Sequence, residues 1–511
     1  MGTCRLTRCL CHSWCPWEAF NADNLLLLYR KQRKMKWLEV MDLDRNVLSD
    51  LKKKADVKEN LFKHARKLAL YPENRSTLEL CSFFVEKTTE QLEELIIHAN
   101  FDFHDRDHSP PPPNGGGSAL DNRELNDTAT GPGLLSRTIF RHMTPFDKCT
   151  PFQNLTSLRL HRVSLRHCAD TWCKVVDFNR LVYLRLYSCS GADTLFGQLC
   201  KASHLPKKLR VLEFQHKDNS DNEALIALDG FLCLVSGIRD LIVDLENVKA
   251  LPGAAGIVRH SKTLELLNVH VSNDPSLVSN VDGEAEELVW GLEDFEKICK
   301  ACTQLEQLSC AWPPTSLIRS PSESWKSYEG AVGENLKHLV TLHISTFPTN
   351  KPSTQLLPRA IYEQLLQGLA TRVFDLVING SGKSEASTST AAEIDGAADN
   401  DSDTTDTVPS SAEIKRRPGR LRLLAFGISD KIYEREESKN QLIYLRSSCK
   451  SALGEEKMYA APVAWCLRQF VEPVSEVLDF VLHRETRVPC REREGLGHGT
   501  GGWGGVGDDD E

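Results

Sequence analysis

The segment LEVMDLDRNVL, residues 38–48, fits the frame LxxLxLxxNxL with Met41 in place of one leucine. The frame returns along most of the chain. Leu92, Leu95, Ile97 and Asn100 repeat its first nine positions, and Leu181, Leu184, Leu186 and Cys189 repeat them again. Weaker copies begin at Leu155, Leu209, Ile238, Leu264, Leu305, Leu339 and Leu421, and another, with Ala65 in first place, continues through Leu68 and Leu70. First positions 38, 65 and 92 are spaced by 27 and 27, and positions 155, 181, 209, 238 and 264 by 26, 28, 29 and 26. Such a period constrains folding more than any local propensity, because one unit cannot close its own apolar core and must stack on the next.

This is the spacing of a leucine-rich repeat. Each LxxLxL predicts a short parallel strand with its leucines turned inward, and the rest of the unit returns along the outer face. A period of 26–29 leaves room for a helix, and helical patterns stand where one is needed: NRSTLELCSFFVEKTTE, RHCADTWCKVVDF, DNEALIALDGFLCLV and LEDFEKICKAC. The expected fold class is therefore α/β, a solenoid with a curved parallel sheet inside and helices outside. It would hold about 12 degenerate repeats and two disordered insertions. The expected organisation is a leader over 1–28, repeats over 29–101, an insertion over 102–135 and central repeats over 136–379. An acidic insertion over 380–418, a last repeat with a C-terminal cap over 419–485 and a disordered tail over 486–511 complete it. The first insertion contains PPPPNGGG, and the second is rich in Ser, Thr and Asp before the basic KRRPGR at Lys415–Arg420. Neither composition supports packing. A further strand is expected at Leu442 and Leu445, followed by a closing unit burying Trp465, Phe470, Leu478 and Phe480.

VFDLVINGSGKSEAS, residues 373–387, tests a competing reading. A phosphate-binding loop needs glycine five residues before its GKS, and Val377 stands there. Val373, Leu376 and Ile378 instead fit another LxxLxL strand, with IYEQLLQGLA as the preceding helix. The acidic stretch after it lacks the apolar period of the helix a phosphate loop must lead into.

Charge and cysteine usage narrow the partners. With 62 Lys and Arg against 71 Asp and Glu, a net charge of -9, no global positive field exists to hold nucleic acid. No apolar run reaches the roughly 20 residues that span a bilayer. Seventeen cysteines without a paired framework fit reduced thiols, so a cytoplasmic or nuclear location is expected. Cys4, Cys9, Cys11, His12 and Cys15 could supply zinc ligands, but their spacing matches no paired CxxC arrangement, and no cofactor is expected. The chain has no GxSxG and no HExxH, so the reading is of a binding protein without catalysis.

Alternation along a strand turns the third and fifth positions of LxxLxL away from the leucines. The expected protein-binding residues on this concave face are Arg159, Tyr183, Arg185, Glu213, Asp240, Asn268 and His343. Arg159, Tyr183 and Arg185 form the centre, because arginine and tyrosine are favoured interface anchors.

LEVMDLDRNVL, QLEELIIHAN, LVYLRLYSC and LRVLEFQ, with LLLLYRKQRKMKWLEV leading into the first unit, resemble the F-box type of leucine-rich-repeat proteins, especially the degenerate ones of filamentous fungi. The resemblance implies that the repeats hold a protein substrate. In that family an N-terminal F-box binds the Skp-type adaptor of a cullin ubiquitin ligase. The F-box opens near LPxE, whereas the residues before Tyr29 carry CPWEAF. The ligase role is thus expected with an F-box encoded upstream, and a free-standing repeat scaffold or inhibitor without one.

Overall fold

The computed structural model describes residues 11–14, 21–32, 34–40, 46–54, 62–72, 75–99, 134–218, 222–272, 288–346, 348, 359–379, 419–427, 441–450, 454 and 456–464. Among the described residues fourteen strands stand side by side in chain order. They are β1 (Cys11–Trp14), β2 (Trp37–Val40), β3 (Lys67–Leu70), β4 (Glu94–His98), β5 (Ser157–His161), β6 (Tyr183–Tyr187), β7 (Val211–Lys217), β8 (Asp240–Glu246), β9 (Leu266–Val271), β10 (Gln307–Cys310), β11 (Thr341–Ile344), β12 (Leu423–Phe426), β13 (Leu442–Lys450) and β14 (Glu456–Val463). Strands β1 to β12 run parallel, and β13 and β14 close the sheet antiparallel. The helices Arg75–Thr88, Ala169–Val175, Glu223–Leu234 and Leu292–Ala301 lie between successive strands, where the sequence patterns placed them. Parallel neighbours in strict chain order, each crossover advancing by one, make an open α/β sheet that grows like a solenoid.

Two interactions fix the advance. Leu68, Leu95, Leu158, Leu184, Leu212 and Leu241 lie directly beside one another across β3 to β8, and all are buried. Removing each side chain from water is worth about 1.5–3 kcal/mol. Just before each strand, one carbonyl accepts two N–H groups of the next unit. Lys36 O accepts from Arg66 and Lys67, Arg66 O from Glu93 and Glu94, Glu93 O from Thr156 and Ser157, and the pattern continues through Val182, Arg210, Arg239, Glu265, Glu306 and Val340.

That ladder corrects the register of the first unit. Leu38 pairs with Leu68 and so holds the fourth position, not the first; Met35 is the first, and both are buried. Val47 and Leu48, the last apolar residues of LEVMDLDRNVL, open the helix Val47–Lys54.

The strand expected at Val373, Leu376 and Ile378 is a helix, because the preceding helix does not stop. Arg359–Asn379 is one continuous helix, and its buried Leu366, Leu369, Ala370, Val373, Phe374 and Val377 recur at helical spacing. Two glycines let the backbones close on it: a Cβ on Gly333 would lie 3.0 Å from Leu376 O, and one on Gly419 would lie 2.6 Å from Val377 O. The strand after β11 is β12, paired with it directly.

The strand expected at Leu442 and Leu445 is β13, but it turns back antiparallel. Within the expected leader, Cys11–Trp14 pairs parallel with β2, and the helix Ala22–Lys31 follows. Residues 102–133, 380–418 and 486–511, which hold the expected insertions and tail, lie outside the described residues, as do the cap residues Trp465, Phe470, Leu478 and Phe480. The edge of β14, the last strand among the described residues, is partly satisfied by the long helix. Gln367 Nε2 donates to Ala460 O at 2.7 Å, and Ala460 N–H donates to Thr371 Oγ1 at 3.1 Å, which occupies backbone groups that would otherwise invite another strand.

Leu184→Ala should lower the unfolding free energy by about 2–5 kcal/mol, as core truncations do. Ile226→Ala, on the outer face and 66% exposed, should change it by no more than about 0.5 kcal/mol. Urea denaturation of both variants measures the difference.

Candidate functional site

The inner face of the sheet carries three columns of side chains, from the third, fifth and seventh positions of each unit. Its two halves differ in chemistry. Toward the C-terminal end Ile242, Leu266, Leu423, Ala425 and Ile443 form a buried apolar cluster of their own, and the polar residues beside it, Asn268, Ser309, Thr341 and His343, are buried as well. Across β3 to β7 the third and fifth positions are mainly charged or aromatic: Lys67, Glu94, Tyr183, Arg185 and Glu213.

At the mouth of β3 to β6 lies an open cleft of about 350 Å³, lined by Arg66, Lys67, Glu93, Glu94, Thr156, Ser157, Tyr183 and Arg185. The parallel register brings them together from segments more than a hundred residues apart. Lys67 Nζ lies 3.0 Å from Glu94 and 4.2 Å above the ring centre of Trp37. Arg66 lies 3.7 Å from Glu93. The Arg185 guanidinium sits 5.5 Å from the ring centre of Tyr183, whose side chain is among the exposed large hydrophobics at 37%.

Behind the cleft, Arg185 Nε donates to Glu213 Oε1 at 2.6 Å, and the Tyr187 hydroxyl donates to Glu213 Oε2. Burial alone would raise the Glu213 carboxyl, but the Arg185 charge, the Tyr187 hydroxyl and the Arg159 charge together hold it below the ordinary glutamate range. Burial works against the charged form of Arg185 as well, and the Glu213 carboxylate outweighs it, raising the guanidinium.

The seventh position forms a row of rings. Tyr71, His98, His161 and Tyr187 follow one another across β3 to β6, with the two histidine ring centres 3.9 Å apart. Burial, assisted by the Arg162 charge, pushes His98 down to about 3. The Tyr71 hydroxyl donates to Glu39 Oε1 at 2.5 Å.

Of the residues expected from the sequence, Arg159, Tyr183, Arg185 and Glu213 come together on β5, β6 and β7. Asp240 is clasped by Arg239 through two bonds, Nε to Oδ1 at 3.0 Å and Nη2 to Oδ2 at 2.7 Å. Asn268 and His343 are buried. His343 serves the packing of the C-terminal units: Nδ1 meets Ser309 Oγ at 2.8 Å, and Nε2 meets Gly427 O at 2.8 Å and Gln441 Nε2 at 3.2 Å. Lys67 and Glu94 obey the same third-position rule in the copies at 65 and 92. Trp37 is obscured by the three-residue register error of the first unit. The ring row needs the alternation carried two residues further. Among the described residues no group of three or more His, Cys, Asp or Glu could hold a metal ion; Cys4, Cys9 and Cys15 lie outside them. No helix among the described residues is long and apolar enough to cross a membrane.

No protein-family model matches the chain, and no match is found among curated proteins.

The titrations have definite signs. Glu213, held below its ordinary value in the folded chain, contributes stability that is complete above pH about 4.5 and is lost as pH falls through the depressed value. His98, favoured neutral by folding, costs stability as pH falls from 6.5 toward about 3. In acid titrations of the unfolding free energy, Glu213→Gln should flatten the loss below 4.5, and His98→Phe the loss between 6.5 and 3.

Proposed function

We propose that the chain is a leucine-rich-repeat module, with about twelve units along β1 to β12, that binds another protein on the inner face of β3 to β7. The observation that carries this reading is the cleft around Tyr183. On the inner face, a tyrosine ring stays open to solvent beside an arginine held by its own partner. Tyrosine has two side-chain torsions to fix and this arginine is already held by Glu213, so little freedom is lost when the site is covered, and both residue types are enriched among interface hot spots. A flat ladder of strands gives large contact area and no enclosed reaction chamber, so the role is recognition, in the cytoplasm or nucleus. The resemblance of LLLLYRKQRKMKWLEV and the units after it to F-box proteins assigns that recognition to substrate capture for a cullin ubiquitin ligase.

The test is a map of contacts in the native cell. A photo-crosslinking amino acid at position 183 should yield a defined protein adduct, and the same group at position 226 on the outer face should not. Adducts from 226 alone would move binding to the helices and end this reading of the inner face. Mass spectrometry of the C-terminally tagged chain checks the ligase assignment: a co-purifying Skp-type adaptor and cullin is the expected result, and their absence removes it.

A further inference from the structure

The cleft does more than mark a contact surface; its charges specify what would enter. Resting on the reading that the inner face binds protein, we propose that this cleft receives the carboxylate of an aspartate or glutamate side chain from an extended segment of the partner, laid across β3 to β6.

Three cations and two anions line it: Arg66, Lys67 and Arg185 against Glu93 and Glu94. Behind the wall, Glu213 pairs with Arg185 at 2.6 Å and Arg159 lies on the same fifth-position column, so together these two add one negative and one positive charge and leave the sum unchanged. The cleft therefore holds an excess of one positive charge and is neutralised by one negative charge. A phosphate carrying nearly two would overshoot that balance and face Glu93 and Glu94 at close range. A neutral side chain would leave the excess unmatched.

The donor geometry agrees with the charge. Arg185 lines the cleft and Glu213 does not, and the bond between them is made by Nε at 2.6 Å. A guanidinium anchored through Nε still has two N–H-bearing groups on its other edge, in the fork spacing that matches two carboxylate oxygens. Because Glu213 and the Tyr183 ring already fix the plane of that fork, little side-chain entropy remains to be lost on binding. Lys67, held between Glu94 and the Trp37 ring, adds a second cation across the cleft.

The experiment uses the full chain and three fluorescein-labelled peptides, Gly-Glu-Gly-Glu-Gly and its counterparts with Gln or phosphoserine in place of Glu, titrated by fluorescence anisotropy at low salt. The Glu peptide should bind about tenfold more tightly than the Gln peptide, and the phosphoserine peptide should bind no more tightly than the Glu peptide. Arg185→Lys, which keeps the charge and loses the fork, should weaken the Glu peptide about tenfold. Glu94→Gln removes one negative charge from the wall and should tighten it about threefold, a gain that damage to the fold cannot imitate.

Equal binding of Glu and Gln peptides, or no gain from Glu94→Gln, overturns the proposal, and tighter phosphoserine binding replaces the carboxylate with a phosphorylated partner. If the peptides fail while the crosslinker at 183 still captures a protein, the carboxylate is wrong and the binding face stands. If both fail, the binding face falls as well.

Discussion

One carbonyl per unit, shared by two N–H groups of the next, sets where every other group in this protein sits. From Lys36 to Val340 the same bond pair recurs just before each strand. It holds each unit to the last in one register, and a one-residue slip would turn every inward leucine to the opposite face. The leucine row and the ladder are therefore coupled, since neither can be satisfied without the other. The loops between units are free to vary in length because they bear none of this constraint. That freedom is why the segment between β4 and β5 can be far longer than that between β5 and β6 without shifting the pairing of Leu95 with Leu158 or of Leu158 with Leu184.

Much of this architecture was legible because leucine at three fixed positions is a strong, redundant signal. Where the signal is ambiguous the reading failed, and for identifiable reasons. In LEVMDLDRNVL, Leu38 can hold the first position of the frame or the fourth, and the frame read from the segment favours the wrong one; the pairing of Leu38 with Leu68 decides between them. VFDLVI fits a strand as well as a helix when read alone. Helix formation is cooperative, so IYEQLLQGLA extends through it once Val373, Phe374 and Val377 find the same core as Leu366 and Ala370. Short apolar runs carry no period that separates the two, and the arbiter was the packing of Gly333 and Gly419 against the backbone of that helix.

The candidate site was half legible. Alternation gives the direction of a side chain but not its depth, and depth on an inner face depends on what stands on neighbouring strands. Tyr183 has Ser157 on one side and Val211 on the other, short residues that leave its ring uncovered. Asn268 lies between Ile242 and Ser309, beside the apolar cluster that includes Leu266, and is buried there. His343 obeys the same strand rule as Arg185 but finds three polar partners from units on both sides. Two residues with the same position in the repeat thus serve opposite ends, one presented and one consumed by packing.

This division follows from how a solenoid must end. The first strands of such a sheet can keep a polar inner face because each strand has a parallel neighbour to satisfy its backbone. Near the C-terminal end the parallel run stops, and the reversal into β13 and β14 needs side chains that hold a differently directed strand in place. The apolar residues Ala425 and Ile443, paired across that reversal, and the His343, Gly427 and Gln441 contacts supply the hold. Both ring nitrogens of His343 are committed to Ser309, Gly427 and Gln441, so they are used within the fold. Farther from the reversal, between β3 and β7, the parallel strand pairing, the shared-carbonyl ladder and the buried leucine row hold the units together from the backbone and the core side. It is this support that lets Lys67, Glu94, Tyr183 and Arg185 assemble a charged cleft at no cost to the strand pairing beneath it.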